Sequence, residues 1–536
     1  MESTRSGKHQ SQALIIGGGI AGIVTALELL EGGQSVVLVD RDSPERFGGL
    51  ARWAFGGMAI VGTPEQKRMK VVDSPELAFE DWVRFGELST GEKWPRAWAQ
   101  CYVEESRAVV YDWLKSLGLK FMPAVNWVER GSSIKGNSVP RYHILWGAGR
   151  ELTETLIARL VEHPNRDRLT VLHRHRVTAL ELSGGAVRGC RGVNENSGVD
   201  FSVEADRTVV ATGGVNGSVE QVRRHWPTAW PPAPAVMLNG AHPYSNGEIH
   251  ADFAQRGGRL THLDDMWNYA AGIPLPQPHF EGHGLSLVPC KSGLWLSPDG
   301  SPVGPAPMVT GFDTREMCRQ VAAHPYTWQV LNWKIAAKEL AISGSQHNPR
   351  IVNHQLFRFL LDLLLGNDSL VRQMVNESTE FIVADSVEEL AGKMNQLAGE
   401  SRIDAGRLAE QVRAYDRALA DPANHPGIQR IVELRQWRGD RVRTCNLQAV
   451  LDRKAGPLLA IRLHFISRKS LGGIQTDLQG RALAVDGKPM AGLYAVGEAA
   501  GFGGGGASGK RSLEGTFLSG CILTARKAAA AMLGAP

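Results

Sequence analysis

Gly17-Gly18-Gly19-Ile20-Ala21-Gly22 has the spacing G-x-G-x-x-G. At a dinucleotide, glycines so spaced do three jobs: Gly17 allows a tight turn, Gly19 lets backbone approach a pyrophosphate, and Gly22 lets the next helix pack close to its strand. The pyrophosphate then meets free N–H groups at a helix N-terminus, where the dipole favours anions. Asp40 stands about 20 residues on, where an acid binds ribose hydroxyls. Two features favour FAD over NAD. Gly48-Gly49 and Gly56-Gly57 give the backbone further points of close approach to a long cofactor. Far downstream, Gly492 to Glu498 supplies a second strand end, with Gly497 at its tip and Glu498 placed to bind a ribityl hydroxyl.

These residues need particular elements to hold them. Residues 13–16 are an apolar run, 20–31 are helical in pattern, and 36–40 are a second apolar run ending on Asp40. This spacing predicts a β-α-β unit of about thirty residues. Residues 151–162 read as a helix, and 169–181 with 186–193 as a hairpin turning at Ser183-Gly184-Gly185. Residues 208–214 form a strand ending on Thr212-Gly213-Gly214. Residues 226–310 are rich in Pro, Gly, Trp and His, whereas 315–345, 354–375 and 386–420 look helical. The glycine-ended strand style returns at 492–497, and an Ala-rich helix closes the chain from about 517 to 532. The expected architecture is α/β. A discontinuous Rossmann-type FAD-binding domain (1–284 and 441–536) carries an inserted α+β substrate or capping domain (285–440).

In order and pattern these pieces resemble the FAD-dependent fumarate reductase and 3-ketosteroid dehydrogenase superfamily. More specifically, the chain looks like the bacterial branch of FAD-binding, steroid-dehydrogenase-like proteins. Four segments carry that likeness: Gly136 to His143, Tyr326-Thr327-Trp328, Lys469 to Asp477, and Gly503 to Leu518. The resemblance implies further flavin contacts at Val177, at Thr212-Gly213-Gly214, and at Gly515-Thr516-Phe517-Leu518. In the family the helix that these last residues open points its N-terminus at the flavin, where its dipole stabilises negative charge. Family members with covalent flavin carry a His after the first Gly-Gly. Residues 50–57 here are Leu-Ala-Arg-Trp-Ala-Phe-Gly-Gly, so non-covalent FAD is expected.

The resemblance implies chemistry on a CH–CH bond beside a carbonyl, which needs a proton carrier and an electrophile. Fumarate reductases use an Arg in a Thr-Arg-Asp segment, and Thr314-Arg315-Glu316 makes Arg315 the matching candidate. The carboxylate-binding His of those enzymes is absent from Ser467-Arg468-Lys469-Ser470-Leu471, where Arg468 and Lys469 remain to hold an anion or polarise a carbonyl. The steroid enzymes use tyrosines instead, and Tyr142 is the preferred candidate, with Tyr244, Tyr269 and Tyr326 in or near the same middle region. His464, nine residues before Gly473, is a candidate relay. Trp53, Phe55, Trp146, Trp267, Trp295 and Trp328 suggest aromatic walls suited to a bulky apolar ketone. A ketosteroid-type desaturase is therefore expected first, and a reductase of an activated C=C bond second.

The rest of the chain narrows the field. It has 536 residues, 59 Lys plus Arg against 55 Asp plus Glu, and a net charge of +4, too even for a nucleic-acid binder. Hydrophobic residues at 43% and charged residues at 21% are globular values. The six cysteines are scattered without a Cys-x-x-Cys pair, which argues against a metal site, haem attachment or iron–sulfur cluster. Electrons must therefore pass to or from an external carrier. Met1 to Gln12 is polar and lacks a signal-peptide core, and Leu356 to Leu365 is too short to span a bilayer, so a cytoplasmic enzyme is expected.

Overall fold

The structure, a computed structural model, describes residues 7–511 and 513–534. Met1 to Ser6 of the polar leader, and Ser512 within the Gly503 to Leu518 segment, lie outside the described residues. The remainder of that leader is a strand. β1 runs Gly7–Ile16, and its polar first half pairs with residues 201–205 while its apolar second half is buried. Helix α1 (Ile20–Glu31) returns the chain to β2 (Val36–Val39), which pairs parallel with β1. This is the β-α-β unit that the apolar runs predict.

The first sheet has the order Arg481–Leu483, Pro489–Ala495, Asp200–Val210, β1, β2, Leu169–Leu172. Pro489–Ala495 comes from the far end of the chain and lies parallel to Asp200–Val210, so both ends of the sequence build one layer. The expected hairpin begins later than its pattern suggests. Leu169–Leu172 belongs beside β2, and the hairpin is His175–Ser183 with Ala186–Asn194. Its turn glycines, Gly184 and Gly185, both take positive φ, +58° and +78°, as a two-residue turn between right-twisted strands requires. The closing helix Thr516–Met532 packs against α1, and Arg526 Nε donates to Glu28 at 2.7 Å across that contact.

A second sheet is built around one long strand, Leu458–Ser470. Its first half pairs with Thr327–Asn332 and Phe381–Ala384. Its second half pairs with Met266–Pro274 and Met237–Asn239. The strands of this sheet therefore span 237–470, wider than the 285–440 that composition suggests. The expected helix over 315–345 is two helices, Thr314–Val321 and Trp333–Glu339, separated by the strand Thr327–Asn332. That strand is buried at every position, which overrides its weak helical pattern. No helix among the described residues is long and apolar enough to cross a membrane.

Candidate functional site

Between the two sheets lies a cavity of about 650 Å³. One end is made of backbone. Gly17 sits at φ +111°, and a Cβ there would collide with the Ala211 carbonyl oxygen. A Cβ on Gly22 would collide with the Gly17 oxygen, so α1 can approach β1 only with glycine at that position. A Cβ on Gly19 would meet nothing within 4 Å. This second glycine of the motif faces open cavity. Gly19 caps α1 without a side-chain hydrogen bond, leaving the first N–H groups of the helix turned to the cavity. Asp40 ends β2, its oxygens accepting from the N–H of Gly18 at 2.5 Å and of Asp42 at 2.6 Å. Burial raises its pKa. Val177, Thr212 and Gly213 continue the lining, and the Phe517-Leu518 turn of the closing helix completes it. That helix is capped by Gly515 at φ +100°, again without a side-chain cap.

Gly49, Gly56 and Gly57 also line the cavity. Gly22, Gly48, Gly214, Gly497 and Thr516 lie behind the lining. A Cβ on Gly48 would collide with Thr153, and Gly497 N–H donates to Thr524 Oγ1 at 2.9 Å. Gly214 lets Ser470 and Glu498 come close to the chain. Glu498 faces the cavity, its Oε1 accepting the Ser470 N–H at 3.1 Å, and burial pushes its pKa up to about 7.

The other end of the cavity is made of side chains from four distant segments. Tyr142 stands on the strand Tyr142–Trp146, in space that a side chain on Gly57 or Gly515 would fill. Trp267 and Tyr269 sit two apart on Met266–Pro274, and the period-2 alternation of a strand puts them on one face. Both donate to the same atom, Glu514 Oε2, from Trp267 Nε1 at 2.7 Å and Tyr269 Oη at 3.1 Å. Lys469, paired across the sheet with Trp267, holds its Nζ 4.2 Å from the centre of the Phe517 ring. Burial and then the neighbouring Arg468 push its pKa down to about 8. Arg468 donates to the Gly240 carbonyl at 2.7 Å. Burial, and after it the charge on Glu514, raises the pKa of both Tyr142 and Tyr269. Glu129, at φ +52°, also faces this end, and burial raises its pKa well above the carboxylate range.

Two sequence candidates lie elsewhere. Arg315 is absent from the cavity lining. Asp313 caps its helix, and the guanidinium turns to the Lys510 carbonyl at 2.9 Å and to Asp265 at 3.5 Å, over the Trp230 ring. His464 is buried in the second sheet with its Nε2 3.5 Å from Glu380, beside Arg462 on the same carboxylate. Tyr142, Tyr244, Tyr269, Arg468 and Lys469 are the candidates that line the cavity. Of the six aromatic residues expected as walls, only Phe55 lines it, because Trp267, Trp295 and Trp328 are consumed by packing. Glu514 falls inside the Gly503 to Leu518 segment but carries no local signal of its role there, and nothing local sets Tyr269 apart from Tyr244 and Tyr326.

Two uncapped helix N-termini opening on one cavity, open space over Gly19 and a carboxylate at the end of β2 fit a long anionic dinucleotide. The family model described as FAD binding domain matches residues 12–518. This chain belongs to that FAD-binding family. It is an FAD-dependent oxidoreductase. A KsdD-like steroid dehydrogenase of Mycobacterium tuberculosis is 39% identical over 97% of this chain and 95% of its own length. Among solved structures, a 3-ketosteroid delta1-dehydrogenase from Sterolibacterium denitrificans matches with a TM-score of 0.69 at 13% identity, covering 98% of this chain and 100% of that one. A flavocytochrome c3 fumarate reductase matches at 0.68 with 20% identity, covering 98% and 78%. These two share the fold.

Proposed function

We propose that this FAD-dependent oxidoreductase desaturates a CH–CH bond beside the carbonyl of a bulky, apolar, steroid-like ketone. The observation that carries the reading is the pair of phenols, Tyr142 and Tyr269, facing the cavity at the start of the closing helix. With their pKa values raised they stay neutral and act as hydrogen-bond donors. Among the described residues no partner reaches the Tyr142 hydroxyl, which leaves it to polarise a ketone oxygen. FAD, when bound, accepts two electrons and a hydrogen from the carbon being oxidised.

Gly17, Gly19 and Gly22 shape the pyrophosphate end, Asp40 meets the ribose, and Val177 with Thr212-Gly213 flanks the adenosine and the diphosphate. Gly49, Gly56 and Gly57 keep the opposite wall thin, with Gly48, Gly214, Gly497 and Thr516 packed behind. Glu498 reaches the ribityl chain, and the Phe517-Leu518 turn meets the flavin ring. Lys469 places positive charge at the same edge. With no His in 50–57, FAD is held non-covalently, and electrons pass to an external carrier. The six cysteines, all free, suit a reducing cytoplasm.

The test is the flavin's visible absorbance under anaerobic conditions, with a panel of 3-ketosteroids added. Bleaching is expected. No bleaching by any ketone, with reduced enzyme reoxidised by an enoate or fumarate, would replace this reading with a reductase. The fold shared with the fumarate reductase keeps that outcome in view.

A further inference from the structure

We propose that Glu514 is the catalytic base that takes the proton from the substrate carbon. The inference deepens the desaturase reading and rests on it for the identity of the substrate. Removing two hydrogens from adjacent carbons breaks two C–H bonds. One hydrogen leaves with its bonding pair to the FAD. The other leaves as a proton, and the electrons of its bond become the new C=C bond. A group in the cavity must accept that proton.

Besides the cations Arg468 and Arg443, Asp440 in its ion pair with Arg130, and the Cys521 thiol, whose pKa burial pushes up to about 12, six titratable side chains face the relevant end: Tyr142, Tyr269, Lys469, Glu498, Glu129 and Glu514. Both phenols are buried in a way that favours the neutral form, so they donate rather than accept. Lys469, with its pKa pushed down to about 8, is still an ammonium at neutral pH, where it lies over the Phe517 ring. Glu129 accepts from both the hydroxyl and the N–H of Thr314, and burial favours its protonated form. Glu498 is likewise held through one oxygen, Oε1, by the Ser470 N–H, but it stands where the ribityl chain of FAD takes its other oxygen.

Glu514 differs from all five. An indole N–H can only donate, so Trp267 fixes Oε2 as an acceptor, and Tyr269 adds a second donor to the same atom. Among the described residues no hydrogen bond reaches Oε1. The carboxylate is thus clamped through one oxygen, with the other left for the substrate. Gly515, in the left-handed region at φ +100°, turns the chain so that Glu514 stands immediately before the helix end that meets the flavin. Orientation through one oxygen, beside the position of the oxidising ring, is what proton abstraction concerted with oxidation needs.

The test compares the wild-type holoenzyme with Glu514→Gln and Glu514→Asp. Glutamine keeps an acceptor for Trp267 and Tyr269 but cannot take a proton at working pH. FAD content should be unchanged in Glu514→Gln, ketone affinity should change less than about threefold, and the flavin-reduction rate should fall about 10²- to 10⁴-fold. Aspartate should restore part of that loss. A second readout needs no flavin turnover: dithionite-reduced holoenzyme is incubated with the saturated ketone in D₂O, and deuterium at the carbon beside the carbonyl is read by mass spectrometry. Wild type should exchange, and Glu514→Gln should be at least about a hundredfold slower. Undiminished exchange or reduction in Glu514→Gln would overturn the proposal. Exchange lost in Glu514→Gln, with no ketone bleaching the wild type, would sink the desaturase reading while leaving Glu514 as the base.

Discussion

The two ends of the cavity are built from different materials. The dinucleotide end is backbone: Gly17, Gly19 and Gly22 within one turn and the start of α1, with Asp40 on the next strand. The substrate end is side chains: Tyr142, Tyr269, Lys469 and Glu514, each on a different element, with more than a hundred residues between the first two. Backbone recognition needs residues at fixed spacing because the chain itself must turn and approach. Side-chain recognition needs only that tertiary folding bring the right groups together. The first end therefore tolerates almost no change of residue type, while the second divides its work among several groups that fail by degrees.

After the loss expected for Glu514→Gln, the next largest effect is expected at the rigid end. Gly17→Ala would put a methyl group against the Ala211 carbonyl at a φ that L-residues avoid. The flavin-to-protein ratio after purification should fall tenfold or more, each decade corresponding to about 1.4 kcal/mol of lost binding. Far-UV circular dichroism should show the sheet and helices retained. Full flavin retention in this variant would erase the distinction between the two ends.

The same contrast explains what could be read from the amino acids alone. The β1–α1–β2 unit, the Gly184-Gly185 turn and the closing helix were legible because their signals are local. The second sheet was not, because Leu458–Ser470 finds its partners at 237–239, 266–272, 327–332 and 381–384, pairings that no local pattern encodes. Tyr142 and Lys469 were visible as members of distinctive segments. Glu514 was invisible as a base because its meaning comes from Trp267 and Tyr269, far away in sequence. The placement of Arg315 away from the cavity lining has the same origin. Its segment matched a functional pattern, while the partners that decide its direction, Asp265 and the Lys510 carbonyl, lie 50 and 195 residues distant.

A graded effect is expected at Lys469. Its pKa near 8 means that the ammonium is present at neutral pH and is lost as the pH rises through about 8. The positive charge favours electron transfer onto the flavin, so the wild-type reduction rate should fall about tenfold across that rise, equivalent to about 1.4 kcal/mol of transition-state stabilisation. Lys469→Met should lack this limb and run at the wild-type high-pH level throughout. Any change centred near pH 7 belongs to Glu498 and should survive in that variant. An unaltered limb in Lys469→Met would remove Lys469 from the flavin edge.

The smallest catalytic effect is expected at Arg315, where the sequence suggested one of the largest. Its guanidinium joins the helix Thr314–Val321 to the segment that carries Lys510, shortly before Glu514. That makes it a tie between this helix and the approach to the closing helix. Arg315→Ala should lose a charge-assisted hydrogen bond and about 1–3 kcal/mol of stability in urea unfolding. Flavin content and the rate of flavin reduction should stay within about threefold of wild type, because a group that does not face the cavity contributes little that is specific to the transition state. If stability held while reduction fell by orders of magnitude, the proton would travel through Arg315. The substrate end would then extend beyond the cavity wall, and the contrast between its two ends would have to be redrawn.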